Sequence, residues 1–245
     1  MLKISDLHYS VGDTSILNGV SFSVKAGETL GIIGPNGSGK TTLFNCLSGF
    51  NKPSQGQILL NNTDITALAA HERAELGIGR VFQNFGIFKE MTLQDNIVTA
   101  LESKQGAFET FFPWSAMSRS NIERASEYLK EVGLAGRALE KASSLSGGQM
   151  RLLEIIRTLA FGANLFLLDE PTAGVSPKMK AEVELLIRKL KELGRTVLII
   201  EHDINFIQRF VDRIIVLDEG RVVLDDAPKR IREHPLLAEI YFGND

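Results

Sequence analysis

Residues 30–47 read LGIIGPNGSGKTTLFNCL. The short apolar run, free of alternation, suits a strand buried on both faces of a parallel sheet. Gly34, Gly37 and Gly39 then interrupt the chain, and helix-compatible residues follow from Lys40. Between strand and helix stands G-x-x-x-x-G-K-T, from Gly34 to Thr41. In that context glycines let successive backbone N–H groups curl into a nest for an anion. An ordinary glycine-rich turn would not demand all eight positions. The pattern predicts a phosphate loop made of Gly34, Pro35, Asn36, Gly37, Ser38, Gly39, Lys40, Thr41 and Thr42. Lys40 would neutralise the β- and γ-phosphates of a nucleoside triphosphate, and the Thr41 hydroxyl would ligate Mg²⁺. The dinucleotide fingerprint G-x-G-x-x-G with a following acidic residue is absent.

Outward from this loop, strand-like segments recur at LKISDLHY, QILL, RVF, LFLLD, TVLII and RIIVLD, with helical patterns between them. Such alternation predicts an α/β fold with a mainly parallel, covered sheet. In KMKAEVELLIRKLKEL, Val183, Leu186, Ile187, Leu190 and Leu193 form one apolar stripe. RIIVLDEGRVVL reads as a hairpin turning at Glu219-Gly220.

Ligands of open α/β sheets bind at the carboxyl ends of the strands. LFLLDEP delivers Asp169 and Glu170 there. Asp169 can reach a metal directly or through water, and Glu170 can polarise an attacking water as general base. A lone Asp-Glu pair after a strand would ordinarily be a solvated turn; a triphosphate–Mg²⁺ site changes that, because it needs a carboxylate from a neighbouring strand. Gln83, after RVF, and His202, after TVLIIE, should reach the same sheet edge. Either can contact the γ-phosphate, the metal or the lytic water.

A second anion site is suggested by SSLSGGQMRLLEI at 143–155. Ser146 and Gln149 have the spacing of a capping box. Gly147 and Gly148 weaken a first turn by roughly 1 kcal/mol each relative to alanine. They make better sense where something large and anionic sits against bare N–H groups.

The 245 residues suffice for one substantial core or a core with a smaller lobe. Net charge is −3 and the pI about 5.9, which argues against a general nucleic-acid binder. The single cysteine, Cys46, excludes an internal disulfide and reads as a core filler. No signal peptide is visible, and runs such as TVLII are far short of the ~20 apolar residues of a membrane span. Between Asn84 and Ser144 no buried strand is expected. TLQDNIVTALES and SNIERASEYLKEVGL read as helices, the second opened by a Ser120…Glu123 capping box. The expected organisation is one domain, with an α/β core lobe at 1–84 and 145–245 and a helical subdomain at 85–144. Within the latter, FETFFPW at 108–114 concentrates aromatics.

Together these motifs resemble the ATP-binding cassette (ABC) family of transporter ATPases, over essentially the whole chain. GPNGSGKTT matches its Walker A motif, LFLLDEP its Walker B motif and LSGGQ its signature motif. Gln83 falls at the Q-loop, His202 at the switch histidine, and Tyr9 at the aromatic residue that stacks on adenine. The resemblance implies a P-loop NTPase core, α/β with a mainly parallel sheet and N-terminal antiparallel strands, plus a smaller helical subdomain. It implies ATP and Mg²⁺, with the metal held by Thr41, Gln83 and Asp169. It implies catalysis by Glu170, His202 and Gln83. It also implies that two cassettes, identical or different, pair head to tail. Ser146, Gly147, Gly148 and Gln149 of one would then hold the γ-phosphate of its partner's ATP. Separate transmembrane permease subunits, an extracytoplasmic solute-binding protein and a position on the inner face of the cell membrane follow as further expectations; nucleic acid does not.

Within the family, GIFKEMTLQDNIVTA, AGVSP and PKRIREHPLLAEIYFGND are most similar to ATPase subunits of branched-chain (hydrophobic) amino-acid importers. Lipopolysaccharide-export ATPases share several of these features. Soluble ATPases of iron–sulfur cluster assembly have comparable length. Two positions depart from the family pattern. Met150 stands where a second glutamine is frequent, and Ser176 where the D-loop usually carries aspartate.

Overall fold

The computed structural model describes residues 1–82, 86–103 and 114–242. Its centre is a six-stranded sheet ordered β10-β9-β3-β8-β7-β6, comprising β3 (Thr29–Ile33), β6 (Ile78–Val81), β7 (Leu165–Asp169), β8 (Thr196–Ile200), β9 (Arg213–Asp218) and β10 (Arg221–Asp226). All neighbours run parallel except β10, which returns antiparallel on β9. Glu219 and Gly220 turn that hairpin with φ of 44° and 74°, the conformation a two-residue turn requires.

β3, β7 and β8 are buried along their whole length. Alternate residues serve opposite faces. In β7, Leu165 and Leu167 join one core, while Phe166 and Leu168 join the other. This division is why these strands read as unbroken apolar runs. On the first face lie helix α1 (Lys40–Ser48) and an antiparallel sheet ordered β2-β1-β4-β5. Its strands are β1 (Leu2–Val11), β2 (Thr14–Val24), β4 (Gln55–Leu60) and β5 (Thr63–Asp64). β2 alternates cleanly only over Val20–Val24, after Asn18 and Gly19, yet pairs with β1 along nearly its full length. Cys46 fills this core, and burial pushes its thiol up to about 12.

The opposite face is covered by α5 (Gly147–Ala160) and α6 (Pro177–Glu192), with α3 (Leu93–Glu102) and α4 (Trp114–Glu131) packed beyond α5. Ile97, Leu101, Ala125 and Leu129 belong to the same core cluster as Phe166, Ile199 and Val216. Thr92 caps α3, accepting from the Asp95 N–H. α4 starts at Trp114, so Ser120 lies inside the helix rather than capping it; no glycine or proline interrupts residues 114–131. In α6 the stripe Val183, Leu186, Ile187 and Leu190 is buried, but Leu193, at the C-cap, is half exposed. A short helix, α2 (Ala70–Glu75), precedes β6, and α7 (Ile204–Ile207) follows β8. α8 (Pro228–Arg232) and α9 (Pro235–Phe242) close the described chain over the α5/α6 face, burying Ile231 and Leu237.

Candidate functional site

The loop between β3 and α1 takes left-handed or related backbone conformations at Gly34, Gly37 and Gly39, with φ of 152°, 83° and 98°. Gly34 and Gly39 also admit no side chain. A Cβ on Gly34 would overlap the Leu217 carbonyl oxygen, and one on Gly39 would meet Leu17 Cδ2 at 2.9 Å. Lys40 opens α1 and is itself buried. Its ammonium donates to the carbonyls of Gly34 (2.9 Å) and Pro35 (2.8 Å), so the lysine lies back across the loop. Burial lowers its pKa, against the opposing pull of Glu170 and Asp169. The Thr41 side chain is exposed and Thr42 half-buried. Tyr9 pairs with Leu17 in the β1–β2 ladder, which brings it to the flank of Gly39.

The parallel register Asp169↔Ile200 brings the ends of β7 and β8 side by side. Asp169 accepts from Arg80 Nη2 at 2.9 Å, with both side chains only 6% exposed. Burial raises the Asp169 pKa, and the arginine works against that rise. The other guanidinium nitrogen of Arg80 reaches Asn45 Oδ1 (2.5 Å) and Ser48 Oγ (3.0 Å) on α1. The guanidinium stands 4.9 Å from the Phe82 ring centroid. One arginine therefore ties β6, β7 and the phosphate-loop helix together.

Glu170 follows with φ 47°, rare for a side chain of its size. Its Oε1 lies 2.7 Å from His202 Nε2. Behind this pair, buried Glu201 accepts from both the Thr172 N–H (3.0 Å) and its hydroxyl (2.7 Å). The segments after β7 and β8 are thus joined twice. Burial raises the Glu201 pKa.

Gln83 lies outside the described residues, but its flanks do not. A single oxygen, Glu154 Oε1, accepts from the N–H groups of Phe82 (3.2 Å) and Gly86 (2.9 Å). Arg151 bonds the Phe82 carbonyl and the other Glu154 oxygen, and Arg157 bonds the Gly86 carbonyl. All three side chains come from α5. Arg151, Glu154 and Arg157 recur every third residue within QMRLLEIIRTLA, the first two buried charges in a largely apolar helix and the third half-buried. That spacing was the available signal for them. Arg80 and Glu201 offered none beyond lying beside predicted strand ends.

The capping box at Ser146 is present: its Oγ accepts from Gln149 N, and Gln149 Oε1 accepts from Ser146 N. Ser146 and Gly147 are exposed. Gly148 has a local reason as well, since a Cβ there would stand 2.6 Å from Met179 Cγ on the first turn of α6. Contacts of this motif run to Met179 and, through Gln149 Oε1, to Arg137 at 3.2 Å. The phosphate loop, Asp169, Glu170 and His202 form one cluster; Ser146–Gln149 belong to another.

The ABC transporter family profile matches residues 17–173. The high-affinity branched-chain amino acid transport ATP-binding protein BraF of Pseudomonas aeruginosa is 38% identical over 99% of this chain and 98% of its own. The lipopolysaccharide export system ATP-binding protein LptB of Acidithiobacillus ferridurans is 36% identical, covering 100% of this chain and 97% of its own. Among solved structures, a dimeric ATP-binding cassette in a post-hydrolysis state, bound to ADP and Pi, superposes with a TM-score of 0.80 at 31% identity. The match covers 93% of this chain and 99% of that one.

Proposed function

This chain belongs to the ABC transporter family as an ATP-hydrolysing subunit, and from that premise we propose that it energises import of branched-chain or other hydrophobic amino acids. The near end-to-end likeness to BraF carries this reading of the solute. The likeness to LptB, at similar identity, favours lipopolysaccharide export as the second reading. Uptake of labelled leucine by cells lacking this chain separates them. Loss of uptake, restored by the parent chain and not by Lys40→Ala, is expected. Normal uptake with defective lipopolysaccharide export would overturn the amino-acid reading.

The organisation we propose is a core lobe at 1–84 and 145–245 with a helical subdomain at 85–144, lying against the inner face of the membrane. α5 spans the two, packing on α3 and α4 as well as on β6 and α6. Two such cassettes pair, because Ser146–Gln149 and the phosphate loop sit in separate clusters and ATP requires both. The dimeric relative bound to ADP and Pi supports that pairing. Permease subunits and an extracytoplasmic solute-binding protein complete the assembly.

In the proposed mechanism Tyr9 stacks on adenine and Gly34–Thr42 enclose the phosphates. Lys40 leaves the Gly34 and Pro35 carbonyls for the β- and γ-phosphates. Thr41 and Asp169 are hard oxygen donors, the kind Mg²⁺ selects, and with Gln83 they would hold that ion, which supplies charge neutralisation on the phosphates. Glu170 accepts the proton of the attacking water as its oxygen adds to the γ-phosphorus and ADP departs. His202 holds the Glu170 carboxylate in place, and Ser146 and Gly147 of the second cassette bind the γ-phosphate.

Phe88, 43% exposed beneath the Arg157 guanidinium, is the described member of the aromatic set we propose as the permease contact. Phe85, Phe111 and Phe112 lie outside the described residues, as does the Trp114 side chain. Phe88→Ala should weaken copurification with the permease and leave the isolated ATPase stable. Unchanged copurification removes Phe88 from the contact.

A further inference from the structure

Gly34, the first residue of the phosphate loop, is held from four sides. Its carbonyl accepts from Lys40 Nζ at 2.9 Å. At φ 152° its Cα faces the Leu217 carbonyl of β9 and the Ser38 hydroxyl so closely that no side chain fits. The fourth hold comes from far along the chain. The Gly34 N–H donates to the Tyr241 hydroxyl of α9 at 2.9 Å. β3 ends one residue earlier, with Ile33↔Val216 as its last registered pair to β9, so this N–H lies beyond the ladder. Tyr241 is no loose tail residue. It packs with Ile240 against the larger core, and Leu237 of the same helix is buried there. The phenol is a neutral hydroxyl near pH 7, and burial raises its pKa further. Losing the hydroxyl would strand a buried backbone donor at the hinge of the loop.

We propose that Tyr241 is a positioning residue for ATP binding: its hydroxyl fixes the backbone of Gly34 and with it the entry of the loop that receives the phosphates. The last described helix is thereby a structural part of the nucleotide site, and whatever displaces α9 is felt at the phosphate loop. This rests on the assignment of Gly34–Thr42 to ATP.

Tyr241→Phe keeps the ring and its packing while removing one hydrogen bond. Affinity for a fluorescent ATP analogue should fall roughly three- to ten-fold, as expected for one such bond. KM for ATP should rise by a similar factor with kcat at saturating ATP close to the parent's, and amide exchange at Gly34 should accelerate. A merely structural hydroxyl would alter exchange or melting temperature and leave affinity and KM as in the parent, which would overturn the proposal. Should the variant fail to fold, the parent decides. With ¹³Cζ-tyrosine labelling, and signals assigned by Tyr9→Phe and Tyr128→Phe, the Tyr241 resonance should shift on titration with a non-hydrolysable ATP analogue. A resonance that stays fixed while the analogue binds overturns the proposal. Failure of the parent to bind the analogue overturns the assignment of the loop to ATP and this inference with it.

Discussion

His202 Nε2 stands 2.7 Å from Glu170 Oε1, a hydrogen bond between the segments that follow two adjacent parallel strands. An ionised carboxylate can only accept, so the proton of the pair lies on Nε2 and the histidine holds the glutamate by donation. Glu170 is further constrained by φ 47° and by its own N–H donating to the Ile200 carbonyl at 3.0 Å. Such fixed aim suits the role of general base proposed for Glu170.

Glu170→Gln keeps the shape of the side chain and removes its basicity. Hydrolysis should fall by roughly 10²–10⁴-fold while ATP binding persists. Phosphate release measures the first, and an ATP-dependent shift to dimer in size-exclusion chromatography measures the second. Turnover near that of the parent would remove Glu170 from the role of base.

Arg80→Ala leaves Asp169 buried without its cation. Breaking one partner of a buried pair costs about 3–5 kcal/mol, and urea denaturation should report a loss of that size. Arg80→Lys should not restore it. A lysine ammonium lacks the planar fork that spans Asp169, Asn45 and Ser48.

Glu201 gives a pH dependence whose sign follows from burial. Its folded pKa is raised above the ordinary carboxylate value, so the folded chain binds its proton more tightly than the unfolded chain does. Stability contributed by this group is therefore greatest at low pH. It declines as pH rises from the ordinary value through the raised one. Glu201→Gln removes the titration and should flatten that part of the melting-temperature profile against pH. An unchanged profile would exclude Glu201 as its source.

Ser176 caps α6, accepting from the Met179 N–H at 3.3 Å, and Pro177 takes the first helical position. Aspartate caps a helix as well as serine does, so Ser176→Asp should leave thermal stability unchanged. Where the family usually places an aspartate, serine would offer only a neutral hydrogen bond across the proposed cassette dimer, and coupling between the two ATP sites should be weak. Steady-state ATPase assays of Ser176→Asp should give higher turnover or a larger Hill coefficient. Kinetics identical to the parent would reject the idea.

Much of this was legible in the sequence because local pattern and buried position agree. LGII, LFLLD and TVLII read as doubly buried strands, and two cores divide their side chains. The placing of Asp169, Glu170 and His202 at one sheet edge was legible because a strand end is a fixed address in an α/β sheet. N-terminal antiparallel strands were expected, and VSFSV at 20–24 alternates cleanly, but the full span of β2 was not read because alternation breaks at Asn18 and Gly19. Arg80, Glu201 and Tyr241 escaped for a shared reason. Each meets its partner through register or long-range packing, 89, 29 and 207 residues away along the chain, beyond what spacing records. Gly148 was read as leaving room for an anion at the first turn, but Met179 forbids a side chain there in any case.

The single Glu154 oxygen that receives the N–H groups of both Phe82 and Gly86 has a consequence for how this chain can vary. It works as a staple whose two legs are set four residues apart. The number of residues between those legs is thereby fixed at three, since one inserted or deleted residue would push one leg off the shared atom. A carboxylate on the signature helix thus acts as a gauge for the length of the Gln83 segment, and shuffling this segment between relatives will succeed only among chains cut to the same measure.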